Sequence, residues 1–107
     1  MAGPFVGVHG DALIVAGGAN FPVPEGEDLW EVPKVYHADA WVLTRTGEGY
    51  AWKSGFKLKQ PVGYGMCVSA ADGVVCLGGQ TGETVFRDAF RLEWDAKEEA
   101  LIQSPMP

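Results

Sequence analysis

The chain has 107 residues, about one domain's worth, and carries 14 acidic against 8 basic residues for a net charge of −6. This balance excludes a phosphate-neutralising nucleic-acid surface and a polybasic membrane patch. The longest aliphatic run, Ala12 to Ala16, is far shorter than a membrane span. Glycine is the unusual residue, at 15 of 107, near twice its ordinary share of ~7%. A folded chain with many tight turns is therefore expected.

β-Branched and aromatic residues between glycine-rich turns predict an all-β chain. The strands predicted in the first half, with turns near Gly10 and Gly47, are residues 5–8, 12–16, 39–44 and 50–58. The strands predicted in the second half, with a hairpin turn at Asp72–Gly73, are residues 65–69, 74–77, 89–94 and 99–103. Only residues 96–100 have a helix-forming composition, and five residues are too few for a stable helix.

The two halves repeat one pattern. Leu13–Gly18 recurs as Val74–Gly79, 61 residues later, and Asp39–Leu43 recurs as Asp88–Leu92, 49 residues later. The change of spacing corresponds to a twelve-residue insertion in the first copy. The predicted units are residues 1–61, with a long insertion loop at 19–38, and residues 62–107.

Cys67 and Cys76 fall on neighbouring predicted strands. They are too few for a disulfide framework, and neither His9 nor His37 has metal-ligand spacing with them, so no metal site is predicted. Two interpretations stay open. The cysteines are small apolar core residues, or they form a cross-strand bridge whose geometry depends on the register of the turn.

Each unit resembles a kelch repeat, one blade of a β-propeller. The resemblance rests on the Gly-Gly pair that ends the second strand, the Asp-aromatic pattern of the third strand, and Trp52 in the fourth. Glycines let the chain leave the second strand in a backbone conformation that residues with a Cβ atom rarely adopt. By this resemblance, Trp52 and its counterpart Leu101 are expected to fill the wedge between neighbouring blades.

The first unit resembles a narrower family. Gly17–Pro22, followed by Trp30 and Lys34–Asp39, is similar to the N-acetylneuraminate epimerases, the sialic acid mutarotases. The Asn-Phe-Pro after the glycines is the specific part. This resemblance implies a six-bladed propeller that interconverts the α and β anomers of N-acetylneuraminate. Two blades are present here, so the ring would be completed by a homotrimer or by the missing sequence of a longer propeller.

Anomer exchange requires a base that takes the anomeric hydroxyl proton, an acid that protonates the ring oxygen, and a clamp for the substrate carboxylate. It requires no metal or organic cofactor. The loops that follow the second strands share one rim with the connection near Gln60, and the site is predicted there. The catalytic candidates are His37 and Glu83, and the substrate-binding candidates are Asn20, Lys34, Gln80 and Arg87.

Each candidate also has a purely structural interpretation. Asn20 can cap a turn through its own backbone, and Lys34 can be a solvated surface lysine. Histidine is a common proton carrier in enzymes, so His37 can have that role, or it can be a partly buried structural histidine. Arg87 and Glu83 can form an exposed ion pair of little energetic value.

The leading functional hypothesis is a mutarotase-like enzyme acting on N-acetylneuraminate or a related acidic sugar. The alternative is a non-catalytic propeller module that binds a protein or a glycan, because fold alone does not decide function. No nucleic-acid or membrane partner is expected. The residues at the start of the chain lack a signal-peptide pattern, so a cytoplasmic location is the default and the periplasm the alternative if an upstream signal was removed.

Overall fold

The computed structural model describes residues 2–20 and 34–106, which form strands and no helix. This confirms the predicted all-β class. The strands are β1 (Phe5–His9), β2 (Ala12–Ala16), β3 (Ala19–Asn20), β4 (Val35–Tyr36), β5 (Asp39–Thr46), β6 (Gly49–Lys57), β7 (Met66–Ala70), β8 (Gly73–Leu77), β9 (Gln80–Thr81), β10 (Thr84–Val85), β11 (Ala89–Asp95) and β12 (Ala100–Met106).

Eight of these strands form two four-stranded antiparallel sheets, in the orders β1-β2-β5-β6 and β7-β8-β11-β12. The eight predicted strands are confirmed, with ends that differ by a few residues. Two short hairpins, β3–β4 and β9–β10, lie between the second and third strands of each sheet and were not predicted. The boundary between the predicted units at residues 61 and 62 stays a prediction.

Paired glycines end β2 and β8, as the sequence predicted. Gly17, Gly18, Gly78 and Gly79 have φ values of 74°, 101°, 68° and 100°, which other residues rarely adopt. A Cβ on Gly17 would lie 2.3 Å from the carbonyl oxygen of Val62. The glycines therefore let the chain turn out of each sheet while the connection after β6 passes close by.

One face of each sheet packs against the other sheet. The buried residues of this core are Phe5, Ala12, Ile14, Ala16, Ala40, Val42, Leu58, Val62, Val74, Cys76 and Leu92. They alternate along the strands because successive side chains point to opposite faces. Two edge-to-face ring pairs connect the sheets, Phe5 with Phe90 at 5.4 Å and Phe56 with Trp94 at 5.5 Å between centroids. Burial of these apolar side chains holds the two sheets together.

The second sheet also binds the open backbone edge of β1. The Cys67 thiol donates a hydrogen bond to the carbonyl oxygen of Val6 at 3.0 Å, and the Val8 amide donates to Ser69 Oγ at 2.9 Å. An edge strand otherwise leaves such groups without protein partners. Side chains of β7 therefore satisfy backbone groups of the first sheet.

The faces that point away from this core carry large apolar side chains. They are Val6, Val8, Tyr50 and Trp52 on the first sheet and Met66, Val68, Leu77 and Ile102 on the second. Trp52 is 58% exposed on the outer face of the first sheet, so it does not fill the gap between these two sheets, and its place in a wedge with another blade stays a prediction. It pairs with Leu43 on the outer face, whereas its counterpart Leu101 pairs with Trp94 and packs against the core.

Cys67 and Cys76 face each other directly across β7 and β8. Both are free thiols, and Cys76 is buried in the core. Burial raises the pKa of the Cys76 thiol to about 12, and Cys67 adds to the shift. The structure therefore shows reduced core cysteines, in a register that places them opposite each other.

Candidate functional site

The candidate site lies where the two short hairpins meet the connection between the sheets. The Gly18 amide donates to the Val62 carbonyl at 2.7 Å. Gly63 and Gln80 exchange two backbone hydrogen bonds, at 3.0 and 2.9 Å. Residues 62–64 therefore run between β3–β4 and β9–β10, which confirms that these segments lie together at one rim.

Asn20 and His37 are in direct contact. The hairpin register pairs Asn20 with Val35, and the His37 amide then donates to the Gly18 carbonyl at 2.9 Å. This places His37 Nε2 at 2.5 Å from Asn20 Oδ1. A carboxamide oxygen only accepts hydrogen bonds, so Nε2 carries the proton in this contact. The other ring nitrogen, Nδ1, remains to exchange a proton.

The carboxylate of Asp39 lies on the Nδ1 side of His37, with Oδ2 at 4.0 Å. Asp39 pairs with Lys57 across β5 and β6, and the Lys57 ammonium donates a hydrogen bond to its carboxylate. This bond lowers the pKa of Asp39, although partial desolvation opposes the shift. Asp39 is therefore ionised at neutral pH and faces the imidazole.

A second group of side chains forms around Tyr36, the residue before His37. Gln80 Nε2 donates to the hydroxyl of Tyr36 at 2.7 Å. The Tyr36 ring meets the ring of Tyr64 edge to face, at 6.2 Å between centroids. Lys34 Nζ lies 4.7 Å from the centroid of the Tyr64 ring, within the range of a cation–π interaction. Amide, phenol and ammonium groups thus come together around the rings of Tyr36 and Tyr64.

The six predicted site residues divide into two groups. Asn20, Lys34, His37 and Gln80 belong to the contacts just described. Glu83 lies in the turn of β9–β10 and Arg87 follows it; both are exposed. Within residues 2–20 and 34–106, the structure gives them no ion pair or side-chain hydrogen bond with each other or with the first group. Their roles stay predictions.

Sequence reasoning assigned no role to Tyr36, Asp39 or Tyr64. Tyr36 and Asp39 stand inside the Lys34–Asp39 stretch that carried the family resemblance, so they were within reach of that reasoning. Tyr64 lies in a Gly-Tyr-Gly segment on the connection already placed at the rim. Phe21, Pro22 and Trp30, which also carried the resemblance, lie outside the described residues.

Other features of the described chain lie apart from this group. A cleft of about 340 Å³ next to β11 and β12 is lined by residues that include Lys59, Gln60, Asp88 and Gln103, and by none of the six candidates. No group of three or more His, Cys, Asp or Glu residues in the described ranges could hold a metal ion. Residues 2–20 and 34–106 also contain no helix with the length and hydrophobicity that a membrane crossing requires.

Comparison with known proteins gives one consistent result. The chain is 31% identical over 107 residues to an N-acetylneuraminate epimerase of Yersinia pestis, covering 88% of this chain and 25% of that protein. It is 30% identical over 105 residues to the N-acetylneuraminate epimerase of Brucella suis, covering 91% of this chain and 26% of that protein. The chain resembles one quarter of these epimerases. No family model and no solved structure gives a match.

Proposed function

We propose that the chain is part of a sialic-acid mutarotase-like β-propeller protein, which interconverts the anomers of N-acetylneuraminate or a related acidic sugar. The contact between Asn20 and His37, at 2.5 Å beside the ionised Asp39, carries the proposal. The similarity to N-acetylneuraminate epimerases over 88% of the chain supports it. The chain spans about a quarter of those relatives, so the activity of the whole protein belongs to the proposal.

The chemistry assigned to the site is proton transfer in ring opening and closure. His37 Nδ1 takes the proton of the anomeric hydroxyl as the ring C–O bond breaks, and the ring oxygen receives a proton from an acid. On closure the ring oxygen attacks the opposite face of the keto group and both proton transfers reverse. Asn20 orients the imidazole through Nε2, and Asp39 stabilises the imidazolium.

The remaining candidates complete this assignment. Lys34 and Gln80 bind the substrate carboxylate and hydroxyls, and Arg87 is a further cation for the same carboxylate. Glu83 is the candidate for the acid that protonates the ring oxygen. Because Glu83 and Arg87 lie on the second hairpin, the proposal requires this hairpin to contribute to the same site as β3–β4.

Anomer exchange measured by proton NMR tests the proposal. Addition of the protein should accelerate exchange between the α and β signals of N-acetylneuraminate at constant pH. His37→Gln should lower this acceleration by about 10²–10⁴-fold, the range for a general acid–base group. Asn20→Ala should lower it less, because it removes only the orientation of the ring. Lys97→Gln, at an exposed turn of the second sheet, is the matched surface control.

A folded protein that leaves the exchange rate unchanged would exclude catalysis by this chain. The second candidate is then a module that binds a glycan without reacting with it. The contacts among Lys34, Tyr64, Tyr36 and Gln80 favour this candidate, because they hold polar groups at the rim without a proton-transferring pair. Saturation-transfer NMR that detects N-acetylneuraminate on the protein, without faster exchange, would support it.

A further inference from the structure

We propose that Tyr64 is a positioning residue that holds the Lys34 ammonium at the rim to bind the carboxylate of an acidic sugar. This inference rests on the proposed function and adds a residue to its carboxylate-binding part. Tyr64 itself does not take part in proton transfer. It acts through Lys34, whose Nζ lies 4.7 Å from the ring centroid.

The backbone of Tyr64 is held in a conformation that tyrosine seldom adopts. Its φ is 60°, in the left-handed region that favours glycine. A strained conformation persists only where the surroundings fix it. Here the Tyr64 amide donates to the Gly3 carbonyl at 2.8 Å. A Cβ on Gly3 would lie 2.6 Å from the tyrosine ring, so the N-terminal segment fits closely against the ring.

The Tyr64 ring contacts a neighbouring aromatic ring and still reaches solvent. Tyr36 meets it edge to face at 6.2 Å, and Gln80 in turn holds the Tyr36 hydroxyl at 2.7 Å. Tyr64 is nevertheless 45% exposed, so core packing does not account for its placement. The network therefore presents an aromatic face at the rim, at a fixed position relative to both hairpins.

That face is occupied by a cation. A lysine side chain has four flexible torsions, and a desolvating aromatic surface limits where its ammonium can lie. The chain has a net charge of −6, which disfavours an anionic ligand at a distance. A carboxylate ligand consequently needs a local positive charge, and the Tyr64 ring holds the Lys34 ammonium at the rim to supply it.

Comparing the affinities of an acid and of its neutral ester distinguishes a role of Tyr64 in carboxylate binding from a purely structural role. The probes are N-acetylneuraminate and its methyl ester, titrated by NMR against the wild-type chain. Wild type should prefer the acid. Tyr64→Leu should weaken acid binding roughly two- to fivefold, the range of an exposed cation–π contact, and leave ester binding unchanged. Tyr64→Phe, which keeps the ring, should retain the acid preference.

Two further variants keep the test decisive. Lys34→Gln, a surface change with little risk to the fold, should weaken acid binding roughly tenfold, as expected for a charge-assisted contact. In the Lys34→Gln background, Tyr64→Leu should cause almost no further loss of acid binding. The matched control is Tyr50→Leu, because Tyr50 is 65% exposed at another hairpin. In the free protein, Tyr64→Leu should remove the ring-current shift on the Lys34 ε-methylene protons.

The results also distinguish this inference from the proposed function. Equal loss of acid and ester binding, an unchanged acid preference in Tyr64→Leu, or absent binding of both probes would overturn the role of Tyr64. Acid-selective binding that depends on Tyr64, without any acceleration of anomer exchange, would support this inference and overturn the enzymatic proposal.

Discussion

The close approach of the two sheets predicts that Gly7→Ala destabilises the fold. Gly7 lies on β1, opposite β8 of the second sheet. A Cβ at this position would lie 2.5 Å and 2.7 Å from the two methyl groups of Val74, and 3.1 Å from Ser69 Oγ. Val74 is 1% exposed, so both of its methyl groups are confined. The substitution therefore has to separate the sheets locally.

The expected change in the free energy of unfolding is the sum of opposing contributions. An extra methyl in a closely packed core costs about 1–3 kcal/mol. Displacing Ser69 also weakens the hydrogen bond that its Oγ accepts from Val8 at 2.9 Å, which adds about 0.5–1.5 kcal/mol. Replacement of a glycine inside a strand by alanine stabilises the folded state by about 0.5–1 kcal/mol. The free energy of unfolding should fall by about 1–3 kcal/mol, and Tm by roughly 5–15 °C.

Urea denaturation followed by tryptophan fluorescence measures this change. Gly47→Ala is the matched control, because no atom lies within 4 Å of its Cβ position and its φ is not in the left-handed region; it should change stability by less than about 0.5 kcal/mol. Val74→Ala makes room for the new methyl, so Gly7→Ala should cost less in that background. Equal stability of Gly7→Ala and Gly47→Ala would refute the packing of β1 on β8.

Three smaller predictions concern titrating groups. The pKa of Cys76 in the folded state is about 12, against an ordinary 9.0. The free energy of unfolding should therefore be highest below pH 9 and should fall as the pH rises toward 12, by at most ~1.4 kcal/mol per pH unit. In urea denaturation, Cys76→Ala should flatten this slope. Lys57→Met should raise the pKa of Asp39 toward 3.8 in an NMR titration, and an unchanged value would contradict the assigned hydrogen bond. Cys67 and Cys76 face each other across the strands, so oxidised glutathione should convert them to an internal disulfide and release two equivalents of reduced glutathione. The intact mass should then show the loss of both thiol hydrogens. A stable mixed disulfide with glutathione would contradict this prediction.

The long strands were predictable because their signal is repeated along the chain. Leu13–Ala16 and Val74–Leu77 are β-branched or aliphatic runs bounded by turns, so their existence follows from composition. The short hairpins were missed because a two-residue strand has no periodicity. They depend instead on contacts between units, such as the bond from Gln80 to Tyr36.

The site was predictable in its residue types and not in its contacts. Asn20 and His37 were named separately, but their meeting depends on a hairpin register that pairs Asn20 with Val35. Exposed polar residues such as Glu83 carry no signal of the direction in which they point. Tyr64 was missed because its importance lies in a backbone conformation that the sequence does not reveal.

The outer faces predict that the described sheets associate with further sheets of the same kind. In the repeat, Val6 and Val8 on the outer face of the first sheet correspond to Cys67 and Ser69, which pack on β1. If the same contact repeats between copies, the outer face of the second sheet of one copy packs against the outer face of the first sheet of the next copy, in a head-to-tail arrangement. Val68, 57% exposed on that face, should then be critical: Val68→Lys should reduce association, measured by light scattering, without loss of the β-sheet spectrum. A wild-type particle of 11.5 kDa with a native spectrum would refute association between copies, and with it the homotrimer expected from the sequence as one way to complete the ring.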